Sequence, residues 1–287
     1  MTAAPMHYFE PNFLNEALVV LDRYGGRAKA LAGGTRLGPA LREDARDVVA
    51  LVNLKRIPTL ATIAVGGGRA QIGALVTAAE LAQSPTIASS VPLLAAAAAS
   101  MGSRQLRALA TVGGNICSGD PASDLTVALL ASDAICVLAA LNHGDRRLPL
   151  RDVLIPGGTI CAPGELLVAV ELPVIAARTA YQKITTRRAF EMAVVAVAVS
   201  LTLDDPEVRI AIAGAAPMCI RAGYAEKIAN ESRPQDGGRE WAARIAAVAA
   251  AGDAAPQTDD RGGADYRRHL VNVLTERALC TALKGSA

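Results

Sequence analysis

Aromatic side chains are scarce in this sequence: three Phe, one Trp and five Tyr make up 3% of 287 residues. A core nearly without rings has to be assembled from Ala, Val, Leu and Ile, and the 52% of hydrophobic residues supplies them. There is no excess of charge of either sign. The 29 Lys and Arg face 27 Asp and Glu, a formal net charge of +2, which argues against a general nucleic-acid binder with its basic excess or stripe. Long apolar runs are missing too. Mean hydropathy is high at +0.29, yet Val91–Ser100 and Met192–Leu203 fall short of the roughly 18 apolar residues that a membrane span needs. The first five residues have neither a basic start nor an apolar stretch, so no secretory signal is read and a cytoplasmic globular protein is expected. The five cysteines (Cys117, Cys136, Cys161, Cys219, Cys280) stand singly, with no C-x-x-C pair, so no zinc or iron–sulfur site is encoded by spacing. They read as reduced thiols. His7, His143 and His269 are equally scattered, and no metal site is expected. Hydrolase chemistry lacks its G-x-S-x-G elbow. No internal repeat is visible.

What is present alternates helix and strand. Leu14, Ala17, Leu18 and Leu21 recur at helical spacing up to Gly25-Gly26. Lys29–Ala32 and Val48–Val52 read as buried strands on either side of a glycine turn and a helix, the makings of a parallel sheet. Thr59–Val65 and Ala70–Leu75 form a predicted hairpin across Gly66-Gly67-Gly68. Thr77 with Glu80 makes a capping box, Ser90–Ala110 reads as one buried helix, and Asp124–Ser132 as another. Ile135–Leu141, Leu166–Leu172, Tyr181–Thr185, Val194–Leu203 and Val208–Ala213 read as strands. Residues 229–240 are turn-rich and expected to be a loop, followed by helices at Glu240–Ala251 and Tyr266–Leu283. The expected organisation is α+β in three parts: 1–57, 58–175 and 176–287.

Two glycine turns carry the chemistry: Ala32-Gly33-Gly34-Thr35-Arg36-Leu37 and Thr111-Val112-Gly113-Gly114-Asn115. Paired glycines permit positive φ and close backbone approach, so consecutive N–H groups can line a concavity suited to a phosphate. Neither turn is a P-loop or a G-x-G-x-x-G fingerprint. The second continues into Asp120-Pro121-Ala122-Ser123-Asp124. There, Asp124 is either a helix cap or a carboxylate aimed at a polar ligand.

These segments, in this order, resemble the FAD-binding (medium) subunits of the molybdenum hydroxylases: carbon monoxide dehydrogenase, xanthine dehydrogenase, and the nicotine and related N-heterocycle dehydrogenases. Smaller matches at Ile72-Gly73-Ala74, Gln105-Leu106-Arg107, Pro163–Leu167 and Asp260–Arg268 extend the resemblance along nearly the whole chain. It implies a two-subdomain FAD-binding fold of the PCMH, vanillyl-alcohol-oxidase-like type, followed by a C-terminal sheet-and-helix domain. It also implies non-covalent FAD, since no His, Cys or Tyr lies in Ala30–Leu37 to make a covalent link. Ala32, Gly33, Gly34, Thr35, Arg36 and Leu37 would wrap the pyrophosphate from one side; Thr111, Gly113, Gly114 and Asn115 would wrap it from the other. Asp124 would bond the ribityl or flavin end, Met101 would lie beside the ring, Leu167 would line the dinucleotide pocket, and Lys183 would stand near the flavin. Arg36 departs from the Asp, Ser or Glu common in the family, and Met192 from an aromatic residue in some members. No catalytic residue is expected in this chain. By resemblance it transfers electrons, with two-iron two-sulfur clusters and molybdopterin carried by separate small and large partner subunits in a heterotrimer or a dimer of heterotrimers. A stand-alone FAD oxidoreductase and a non-enzymatic scaffold are the competing readings.

Overall fold

The helical spacing at the start of the chain becomes α1 (Leu14–Tyr24), which buries Ala17, Leu18 and Leu21 and ends at Gly25, φ 56°. The computed structural model describes residues 6–187, 191–203, 207–232, 234 and 238–285. Strands β1 (His7–Phe9), β2 (Ala28–Leu31) and β3 (Ala50–Asn53) form a parallel sheet in the order β1-β3-β2. The first glycine turn leads from β2 into α2 (Leu37–Glu43).

The next unit holds β4 (Ile63–Gly66) and β5 (Arg69–Gly73), joined through Gly67 and Gly68 at φ 57° and 74°. Two successive left-handed residues match the twist of a tight hairpin. The strand expected from Thr59 starts later, because Pro58–Ala61 forms a short 3₁₀ turn. Helices follow: α3 (Ala78–Gln83), α4 (Pro85–Ser90), α5 (Pro92–Ser100), α6 (Arg104–Leu109), α7 (Val112–Cys117) and α8 (Asp124–Ala131). Thr77 and Glu80 cap α3 as the spacing predicts. The single helix expected over Ser90–Ala110 is broken. Gly102 sits at φ +40°, and the Ser103 hydroxyl accepts from Leu106 N at 3.1 Å, starting α6 in a new direction. After them come β6 (Ile135–Ala139), β7 (Arg146–Pro149), α9 (Leu150–Val153), the small hairpin β8 (Leu154–Ile155) and β9 (Gly158–Thr159), and β10 (Leu166–Pro173). The five-stranded antiparallel sheet runs β4-β5-β10-β6-β7, so its last strand lies in the middle.

The third sheet, β11 (Ala177–Ile184), β12 (Val195–Thr202), β13 (Val208–Ala213) and β14 (Ile220–Arg221), is an antiparallel meander. It is followed by α10 (Gly223–Glu231), α11 (Arg239–Val248) and α12 (Ala264–Lys284). Part of the loop expected over 229–240 is helix through Glu231, held where Asn230 bonds both the N–H and the carbonyl of Val208. Residues 233 and 235–237 of that segment lie outside the described ones. Alternation decides the layering. Ala196 and Ala198 of β12 join the core around α5 and α8, while Val195, Val197 and Val199 face the core of α11 and α12. The largest fully buried side chains are all Ile or Leu, as the shortage of rings requires. Among the described residues no helix is long and apolar enough to cross a membrane.

Candidate functional site

The first glycine loop leaves β2 and bends at Gly34, φ +72°. A Cβ on Gly33 would stand 1.7 Å from the carbonyl oxygen of Leu109, so only glycine lets this backbone press against the end of α6. On the other side, Arg36 reaches the Asp120 carboxylate at 3.3 Å. The loop therefore touches the chain both before and after α7. Among the described residues, none of the five consecutive backbone N–H groups of Gly33–Leu37 meets an acceptor.

The second glycine turn is the first turn of a helix, with Thr111 as its cap. Its amides are already used. Val112 N donates to Val76 O at 3.0 Å, Gly113 N to Ala74 O at 2.8 Å, and Gly114 N to the Thr111 hydroxyl at 3.1 Å. The first two bonds stitch α7 to the segment after β5, where a Cβ on Gly113 would meet that of Ala74 at 2.9 Å. Gly114 is different: it is exposed, and a Cβ there would meet only the Thr111 hydroxyl, at 3.0 Å. Asn115 is buried. Its amide donates to Thr111 O at 3.1 Å, and its oxygen accepts from Ser123 at 2.8 Å. Because Ser123 caps α8, Asn115 ties the start of α7 to the start of α8 and so fixes Asp124.

Asp124 is 4% exposed. Both its oxygens accept from Lys183 Nζ, at 2.8 and 2.9 Å, and Oδ1 also accepts from the Tyr181 hydroxyl. Burial pushes the Asp124 carboxyl up, and the Lys183 charge and hydrogen bond pull it back. Burial, then the Asp124 charge, raises the Tyr181 phenol well above its ordinary range, so it keeps its proton and donates it. Lys183 also donates to Ser100 O at 3.3 Å. The structure thus gathers Lys183, Asp124 and the neighbourhood of Met101, the residue that ends α5. Leu167 stays apart on β10, buried in the apolar core opposite Leu138. Tyr181 and Asp120 are the site residues that sequence reasoning passed over. The alternation Thr179, Tyr181, Lys183 along β11 was the available signal for the first, since it puts the phenol on the ammonium's face.

A run of free N–H donors is suited to an acceptor-only, multiply charged group, and five in succession match the phosphates of a dinucleotide. FAD fits this donor set on the first loop; opposite it, the exposed Gly114 leaves room that a side chain would take.

Comparison with known proteins agrees. Residues 4–175 match the FAD binding domain in molybdopterin dehydrogenase, and residues 180–282 the CO dehydrogenase flavoprotein C-terminal domain. The chain is 33% identical to the 6-hydroxypseudooxynicotine dehydrogenase complex subunit alpha of Paenarthrobacter nicotinovorans, covering 96% of this chain and 94% of that one. It is 30% identical to the carbon monoxide dehydrogenase medium chain of Hydrogenophaga pseudoflava, covering 96% of each. Among solved structures, carbon monoxide dehydrogenase from that organism superposes with a TM-score of 0.89 at 31% identity, covering 100% of both chains. Quinoline 2-oxidoreductase from Pseudomonas putida 86 does so with a TM-score of 0.89 at 26% identity, covering 99% of both.

Proposed function

Because the chain belongs to the family of FAD-binding medium subunits of molybdenum hydroxylases, we propose that it works as the FAD-carrying electron-transfer subunit of such a multi-subunit enzyme. It passes electrons from iron–sulfur clusters to an external acceptor. The observation that carries this reading is the row of five free amides at Gly33–Leu37, facing a helix whose own amides are spent. FAD, when bound, supplies a centre that takes electrons singly or in pairs and so links one-electron clusters to other acceptors.

The residues divide the work by what they have left to offer. The amides of Gly33–Leu37, with the Thr35 hydroxyl, hold phosphate oxygens without a formal charge of their own. Arg36 adds a cation, shared with Asp120. Ala32 and Leu37 fix the two ends of that loop. Gly114 keeps the opposite wall low, while Thr111, Gly113 and Asn115 hold that wall in place. Met101 supplies an apolar edge, and Leu167 supports the sheet beneath. Lys183 and Asp124 act as a pair rather than as a lone cation and a lone acceptor. Their charges nearly cancel, so toward the cofactor they present an oriented dipole in a dry site. The same reading divides the chain at 1–57, 58–175 and 176–287. It assigns the clusters and molybdopterin to small and large partner subunits in a heterotrimer or its dimer, placed in the cytoplasm.

The test is an absorption spectrum of the chain purified from its native host, before and after acid release of the chromophore. Flavin released from a complex with two other subunits carrying iron and molybdenum is expected. A colourless chain in such a complex overturns the cofactor assignment, and flavin without partners overturns the subunit role.

A further inference from the structure

Arg107 has no part in the cofactor site as described so far, although it stands between the parts that do. It lies on α6, whose far end presses against Gly33 through Leu109 O. Its side chain turns back toward the other end of that helix. There Nη1 donates to Met101 O at 2.9 Å and to Gly102 O at 3.1 Å. Among the described residues no carboxylate pairs with it.

Lys183 holds the preceding carbonyl, Ser100 O, at 3.3 Å. Its other two N–H groups go to the two oxygens of Asp124, so all three ammonium donors are spent within the protein. Three consecutive carbonyls, Ser100 to Gly102, are therefore turned onto two cations. A peptide unit is planar, so holding its carbonyl fixes the whole plane. The planes on either side of Met101 are held, one by Lys183 and the other by Arg107. That fixes φ and ψ of Met101, and with them the direction in which its side chain leaves the backbone. Gly102, at φ +40°, is held on both sides by the one nitrogen of Arg107. Ordinary capping of α5 does not account for this. The helix's own last carbonyls are served locally, Ala97 O by the Ser100 hydroxyl at 2.9 Å and Ala98 O by Met101 N at 3.3 Å. Arg107 takes the carbonyls beyond the helix end. Met101 itself is half-buried, resting on the core around α5 and α8.

We propose that Arg107 is the positioning residue for Met101: together with Lys183 it sets the angle at which that side chain meets the flavin. This deepens the cofactor assignment and rests on Met101 as the apolar edge of the flavin site.

The experiment titrates FAD into the flavin-free full-length chain and records the affinity and the visible circular dichroism of the bound flavin. Arg107→Gln should weaken binding about tenfold, the size of one charge-assisted hydrogen bond, and change the flavin's dichroic bands. Arg107→Lys should stay within about threefold of wild type, because both native bonds leave a single nitrogen that an ammonium can replace. Met101→Ala should weaken binding on its own, and adding Arg107→Gln to it should cost little more, since the two act through one side chain. Wild-type affinity and dichroism in Arg107→Gln overturn the proposal, as does an Arg107→Gln effect of full size in the Met101→Ala background. Should Arg107→Gln fail to fold, wild-type affinity in Met101→Ala is enough to overturn it. A wild-type chain that takes up no FAD overturns the cofactor assignment itself, and the proposal with it.

Discussion

Lys183 and Asp124 illustrate how much one buried pair sets locally. Their side chains are 8% and 5% exposed, and each is the other's main compensation for leaving water. Lys183→Met is expected to cost about 3–5 kcal/mol, since it strands a buried carboxylate. Adding Asp124→Asn should return part of that loss, which chemical denaturation of the four chains would measure. The sign with pH follows from the carboxyl, which burial already holds above its unfolded value. The folded state keeps its proton longer than the unfolded state, so stability falls as pH rises from the ordinary carboxylate range through the higher folded value. Without Lys183 that upward push is unopposed. The deficit of Lys183→Met should therefore be larger at about pH 7 than at about pH 4. None of this was legible in the sequence beyond the residue types, because Tyr181 and Lys183 lie 57 and 59 positions from Asp124. Sequence reading reached Asp124 and Lys183 through their motifs and left the phenol between them unremarked.

Among the elements, α1, the β4–β5 hairpin and the capped start of α3 are the ones that local pattern dictates. Periodicity, a glycine pair and a capping box each act within a few residues. Helix α7 is the opposite case. Two glycines in its first turn disfavour helix by about 1 kcal/mol each, and what holds it is the pairing of Val112 and Gly113 with Val76 and Ala74. A pattern reader sees only a turn there. The two glycine loops consequently respond differently to substitution. Gly33→Ala drives a methyl into Leu109 O, and the expected result is a loss of about 1–3 kcal/mol together with weaker flavin retention. Gly114→Val meets only the cap hydroxyl. It should melt within a few degrees of wild type while binding little flavin, as read by the absorbance of the released chromophore. Equal flavin content in Gly114→Val and wild type would remove Gly114 from the cofactor's path.

At the scale of the molecule, the proposed cofactor site lies on the seam between the parallel sheet's loop and the helices of the next unit, with Tyr181 and Lys183 of the third sheet reaching Asp124 from beyond. All three parts of the chain therefore gain when the seam is occupied. Titrating FAD into the flavin-free chain should raise its unfolding free energy by about 2.7 kcal/mol at a hundred times Kd, with one transition replacing any separate melting of the first unit. The order of the central sheet has a consequence in time. Strand β10 sits between β5 and β6, yet it is the last of the five to be synthesised. As the chain leaves the ribosome, the middle of this sheet stays vacant until Pro173 has emerged, and β5 and β6 wait with unpaired edges. The pairing between β5 and β10 spans about a hundred residues, the kind of distant closure that slows folding. The glycine loop at Gly33–Leu37 is among the earliest segments made, but α7 opposite it hangs on Ala74, whose N–H waits for Val168 O of β10. The proposed cofactor site is thereby complete only after translation of the whole central unit.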